Sequence, residues 1–254
     1  MHGASSVTAR RWTGSPASHA ALAFGAGSAS IALSLAMVPL ANHPMLAAAV
    51  RDIAQVGLLG IGLPLLFVRR TRSPIADFGF TLRRGWTFLA INLALGAALL
   101  LVMRRASPPP AGFQWDATNL WRAGYVGVSL VFELVFFYGF LRTLFERTFG
   151  VPAGIVLAAM FYAFHHAGFQ PEFVKLFFVG VLYATVFRLG NSALLIFPFF
   201  LGVGGVYDVL LQSKVVAVIV YPEWRTVGLA LFMASSFAWF GLLEWRARKT
   251  SDTA

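Results

Sequence analysis

Eight stretches of about 20 mainly apolar residues succeed one another along the chain. Each is long enough to cross a bilayer as a helix, since about 1.5 Å of rise per residue must span about 30 Å of hydrocarbon. They run over 20–41, 45–68, 86–103, 123–145, 151–167, 173–187, 192–211 and 226–245. Of the 254 residues, 58% are hydrophobic and 12% charged, roughly half the charge of a soluble domain. The expected fold is therefore all-α: a single polytopic helical membrane domain over 20–248, with polar tails at 1–19 and 249–254. Pro108, Pro109 and Pro110 break the chain between the third and fourth spans, and 106–120 reads as a loop with an interfacial piece at Trp115 and Trp121. Pro198 is expected to bend the seventh span. The Phe-rich run 132–149 is expected to face lipid.

A formal charge of +10 in a soluble chain would suggest nucleic acid. In this setting it reads as loop arginines that set membrane orientation, and no nucleic-acid partner is expected. With the amino terminus in the cytoplasm, 13 of the 20 Lys and Arg fall inside, among them Arg10, Arg11, Arg83, Arg84, Arg142 and Arg188, and seven outside, including Arg51, Lys175, Lys214 and Arg225. Both termini are therefore expected to be cytoplasmic, in a cell membrane. The Arg10–Arg11 pair precedes an apolar run too long for a cleavable signal, and the first span is expected to be retained.

The chain has no Cys, which removes disulfides, thiolate zinc sites and cysteine nucleophiles together. Chemistry must rest on His, Glu, Asp, Ser or Tyr. Glu133 lies in the apolar run 128–140, where a carboxylate costs about 2.5 to 3.5 kcal/mol at the bilayer centre. His165 and His166 end the fifth span, and Asp208 lies late in the seventh. Counted from the inner surface, Glu133, His165 and Asp208 stand about 21, 20 and 24 Å up their helices. Three polar groups on three helices thus share one level, as a site assembled between helices requires.

A Glu sheltered from water can take a proton from a water molecule and return it to a leaving group, and a neighbouring His can orient that water or share the proton. Glu133, His165, His166 and Asp208 are also metal-ligand types. Adjacent helical residues, however, point about 100° apart, so the two histidines are not expected to share an ion; no metal or other cofactor is expected. Arg51 and Asp52, inside the second span, are expected to shield one another, and Glu172 and Lys175 to form a local ion pair. Gly202, Gly204 and Gly205 suit close helix packing.

The runs Glu133-Leu134-Val135-Phe136-Phe137-Tyr138-Gly139-Phe140-Leu141, Phe161-Tyr162-Ala163-Phe164-His165 and Gly204-Gly205-Val206-Tyr207-Asp208, in that order, resemble the three motifs of the CPBP membrane proteins. That group contains the CAAX prenyl endopeptidases and bacteriocin-processing enzymes. The loop 76–84 and the turn Arg188-Leu189-Gly190-Asn191-Ser192 are similar to segments that flank the family core, so the resemblance covers about 77–211. It implies a glutamate-dependent intramembrane endopeptidase acting on a membrane-associated or lipidated protein. By that resemblance Glu133 is the general base, His165 its partner and Asp208 the third-motif polar group.

The chain departs from the family pattern at three places. Leu134 stands where the first motif has a second Glu, Tyr138 where it has Arg, and Gly204 where the third motif opens with His. Losing one oxyanion donor costs about 100- to 1000-fold in turnover. His166 or a protonated Asp208 is expected to substitute, and Tyr138 and Tyr162 to donate to Glu133. The alternative expectation is a catalytically inactive CPBP-like protein that serves as an immunity or assembly partner.

Overall fold

The computed structural model describes residues 14–82, 85–106, 109, 111–168, 170, 172–212 and 222–252. Arg10, Arg11, Arg83, Arg84 and Lys214, which enter the orientation reading, lie outside the described residues, as do Pro108, Pro110, the tail residues 1–13 and residues 253–254. Among the described residues the regular elements are all helices, and eight are long and apolar enough to cross a membrane. The protein is a polytopic helical membrane protein.

The spans are α1 (Pro16–Ala36), α2 (Pro44–Thr71), α3 (Gly85–Ala106), α4 (Ala117–Phe149), α5 (Val151–Gly168), α6 (Phe173–Gly190), α7 (Ala193–Leu211) and α8 (Pro222–Asp252). Several run past the apolar core that reveals them in sequence, because capping decides where a helix ends. Ser15 accepts the Ser18 N–H and Pro16 opens α1. Asp116 accepts the Asn119 N–H at 2.8 Å, so α4 begins six residues before the expected Ala123. The helix of α8 continues through Lys249 to Asp252, where a frayed tail is expected from sequence. Pro198 falls in a widened turn, Phe197–Leu201, across which the Gly202 N–H bonds the Phe197 carbonyl five residues back.

The bundle is built around α4, whose most apolar stretch is 78% buried against 17–39% for the other spans. It packs against α1, α2, α5, α6, α7 and α8, while α3 attaches through α7. Phe132, Phe136, Phe137, Phe140 and Phe145 are consequently core residues, 0–3% exposed, and not lipid contacts. That corrects the expectation for the Phe-rich run up to Phe145, while Phe149 at its end is 48% exposed: a helix that is apolar all round can be enclosed by protein as well as by lipid. The lipid-facing surface is supplied instead by side chains such as Leu58, Trp86, Phe178 and Leu231.

Leu134–Leu141, directly after Glu133, is a widened stretch of α4. At its end the Arg142 N–H reaches back five residues to the Phe137 carbonyl, and Arg142 Nε donates to the Tyr138 carbonyl at 2.6 Å. Such i→i+5 turns recur at functional sites, where they change the phase of the following helix. Arg142 is 1% exposed and pairs with Glu146 at 2.6 Å, and Glu146 in turn meets Arg188 of α6 at 3.2 Å. This inner network holds α4 to α6 beneath the site.

Candidate active site

Glu133, His165, His166 and Asp208 all line one cavity of about 200 Å³, walled by α2, α3, α4, α5, α6 and α7. Glu133, His165 and His166 are 4–7% exposed. The histidine nearer Glu133 is not the one expected from the motif. His166 Nε2 stands 3.7 Å from Glu133 Oε1, whereas His165 is held by other helices. Its Nδ1 lies 2.8 Å from Ser34 Oγ of α1 and 2.9 Å from Gln55 Nε2 of α2.

Adjacent histidines reach the same cavity because α5 changes geometry between them. The α-helical part ends at His165, and His166–Gly168 form a tighter 3₁₀ turn. The two rings lie 4.8 Å apart, nearly perpendicular. The expected divergence of about 100° assumes an unbroken α-helix and does not hold at this helix end.

Hydrogen bonding gives the two rings opposite roles. A carbonyl can only accept, so the 2.7 Å contact between His166 Nδ1 and the Tyr162 carbonyl puts the ring proton on Nδ1 and leaves Nε2 as a lone pair toward Glu133. Gln55 Nε2 donates to the Ser30 carbonyl at 3.0 Å, which fixes the orientation of its amide. That NH₂ group and the Ser34 hydroxyl both approach His165 Nδ1, so His165 Nδ1 accepts and its Nε2 carries the proton. One imidazole presents an acceptor and the other a donor.

Glu133 Oε2 is buried and has no hydrogen-bond partner among the described residues. Tyr138 and Tyr162, expected to donate to it, do not. Tyr138 packs its ring against Tyr162, Tyr183 and Phe187, and the main-chain carbonyl of Tyr162 serves His166. Asp208 reaches the cavity but is engaged at its rim by Lys175 at 3.2 Å and Gln170 at 3.2 Å. Lys175 is also 3.5 Å from Glu172, so the expected local pair is one arm of a three-residue cluster. Asp52 pairs with Arg225 of α8 at 2.8 Å and accepts from Tyr125 at 2.8 Å, while Arg51 lies over the Tyr125 ring and lines the cavity. The expected mutual shielding of Arg51 and Asp52 is thus replaced by partners on other helices.

One ligand atom each from Glu133, His165 and His166 lies within 4.8 Å of the other two. Glu133 and the Nε2 lone pair of His166 suit a divalent ion. His165 could join them through Nε2 only by moving its proton to Nδ1, against the Gln55 amide. Among the residues missed in sequence, Ser30 and Ser34 are four apart on one face of α1, and Gln55 is a lone amide in an apolar run. Those were the available signals.

Set against protein-family models, curated proteins and solved structures, the chain matches none.

Proposed function

We propose that the protein is a divergent CPBP-type intramembrane endopeptidase that cleaves a peptide bond of a membrane-associated or lipidated protein by activating water at Glu133. The observation that carries this reading is the 3.7 Å gap between Glu133 Oε1 and His166 Nε2, with Glu133 Oε2 unpartnered among the described residues beside a cavity. A separation beyond direct hydrogen bonding between two acceptors fits a bridging water. Such a water gives one hydrogen to Glu133 and one to His166, and its oxygen keeps a lone pair for the substrate carbonyl. Glu133 takes the proton as the oxygen–carbon bond forms, then delivers it to the amide nitrogen as the carbon–nitrogen bond breaks. His165 lines the same cavity.

The test is Glu133→Gln in proteoliposomes containing a quenched-fluorescent farnesylated peptide. Cleavage is expected to fall at least about 100-fold, with membrane insertion intact; undiminished cleavage contradicts water activation at this residue. Exhaustive chelation is expected to leave cleavage unchanged, and stoichiometric zinc in the purified protein would replace this mechanism with a metal-assisted one. The alternative, an inactive immunity or assembly partner, draws support from Asp208, which is engaged by Lys175 and Gln170. That partner would retain its function in Glu133→Gln and lose it on replacement of the loop 106–120.

A further inference from the structure

We infer that the Tyr183 hydroxyl is the oxyanion donor of this site, an assignment that rests on the hydrolase reading above. Attack of water on a peptide carbonyl moves the C=O π electrons onto oxygen, and that charge needs a donor already in place. Most donors lining the cavity are committed elsewhere. Ser129 donates to the Val126 carbonyl, Gln55 serves α1 and His165, and Gln170 and Lys175 hold Asp208. Arg51 lies over the Tyr125 ring; of the two remaining phenols, Tyr162 and Tyr183, it is Tyr183 whose tip is fixed against the glycine face of α7. It is 6% exposed, lines the cavity from α6, and its hydroxyl hydrogen-bonds no described residue.

Its position is explained by Gly204 on α7. A Cβ at Gly204 would lie 2.7 Å from the Tyr183 oxygen and 2.8 Å from Leu99 Cδ2. The glycine therefore leaves the room that the phenol tip fills, and any side chain at 204 must displace that tip. Ring packing on Phe200, with centroids 4.7 Å apart, holds the phenol from its other side. The Tyr183 O–H donates a hydrogen bond to the oxyanion without giving up its proton, and is released when the C–N bond breaks and the proton held by Glu133 passes to nitrogen.

The experiment measures kcat and KM of the full chain in proteoliposomes with the farnesylated peptide, for Tyr183→Phe, Gly204→Ala and the double variant. Tyr183→Phe is expected to lower kcat about 100- to 1000-fold with KM within about threefold. Gly204→Ala is expected to lower both kcat and thermal stability. Adding Tyr183→Phe to it relieves the clash with the phenol tip and leaves the one with Leu99 Cδ2, so stability is expected to return in part while turnover does not. Turnover restored along with stability makes the contact purely structural and overturns the donor role. So does Tyr183→Phe cleaving at the unaltered rate, or an equal loss appearing in Tyr162→Phe instead. Cleavage that survives Tyr183→Phe but not Glu133→Gln refutes this inference alone, whereas no cleavage by the unaltered protein, or full cleavage by Glu133→Gln, refutes the hydrolase reading with it.

Discussion

Around Glu133 the balance of hydrogen-bond donors and acceptors decides what the site can do. A carboxylate with one oxygen unpartnered among the described residues and the other 3.7 Å from the His166 ring nitrogen offers acceptors to a molecule with two hydrogens. Removing one acceptor is expected to be costly: His166→Ala should lower cleavage by at least about 100-fold, measured beside Glu133→Gln on the same peptide. Gln55→Leu tests the opposite ring. It frees His165 Nδ1 from its amide, so His165 is expected to lose its fixed tautomer and cleavage to fall without loss of insertion. At this scale Glu133 and His165, which line one cavity, were legible as candidates in the sequence, because a carboxylate and an imidazole in apolar runs are conspicuous. It did not reveal that His166 is the nearer partner, since a tightened last turn leaves no mark on residue spacing.

Helices are positioned here by polar clasps between elements far apart in the chain. Arg225 of α8 binds both oxygens of Asp52 on α2, at 2.8 and 3.0 Å, and Tyr125 of α4 joins them. With side chains 5% and 14% exposed, the pair is sheltered from screening, and deleting one charge strands the other. Asp52→Asn is expected to destabilise the protein by on the order of 3 kcal/mol, read as a lowered midpoint of thermal unfolding in detergent. From sequence, Asp52 had only its neighbour Arg51 as a candidate partner, because a contact across 173 positions has no local signature. Span number and approximate limits were legible by contrast, since a 20-residue apolar run is set by bilayer thickness. Their ends shifted by several residues at Ser15 and Asp116, where a cap extends the helix beyond its apolar core.

For the whole molecule, the all-helical membrane fold follows from length and hydropathy, while the arrangement of the spans does not. Nothing in the apolar pattern of α4 distinguishes a helix wrapped in protein from one wrapped in lipid, and its 78% burial emerges only with the bundle. The absence of cysteine makes the proposed orientation directly testable. Single cysteines at Ala111 and at Thr81 are expected to react with an impermeant maleimide from outside and only after permeabilisation, respectively, if both termini are cytoplasmic; the reverse pattern inverts the topology. The central place of α4 also has a consequence for biogenesis. The helix bearing Glu133 emerges from the ribosome before α5, α6, α7 and α8, so the nascent carboxyl group must wait in fat for the later half of its enclosure. A chain stalled before α5 therefore carries that acid without the two histidines that share its cavity in the finished bundle.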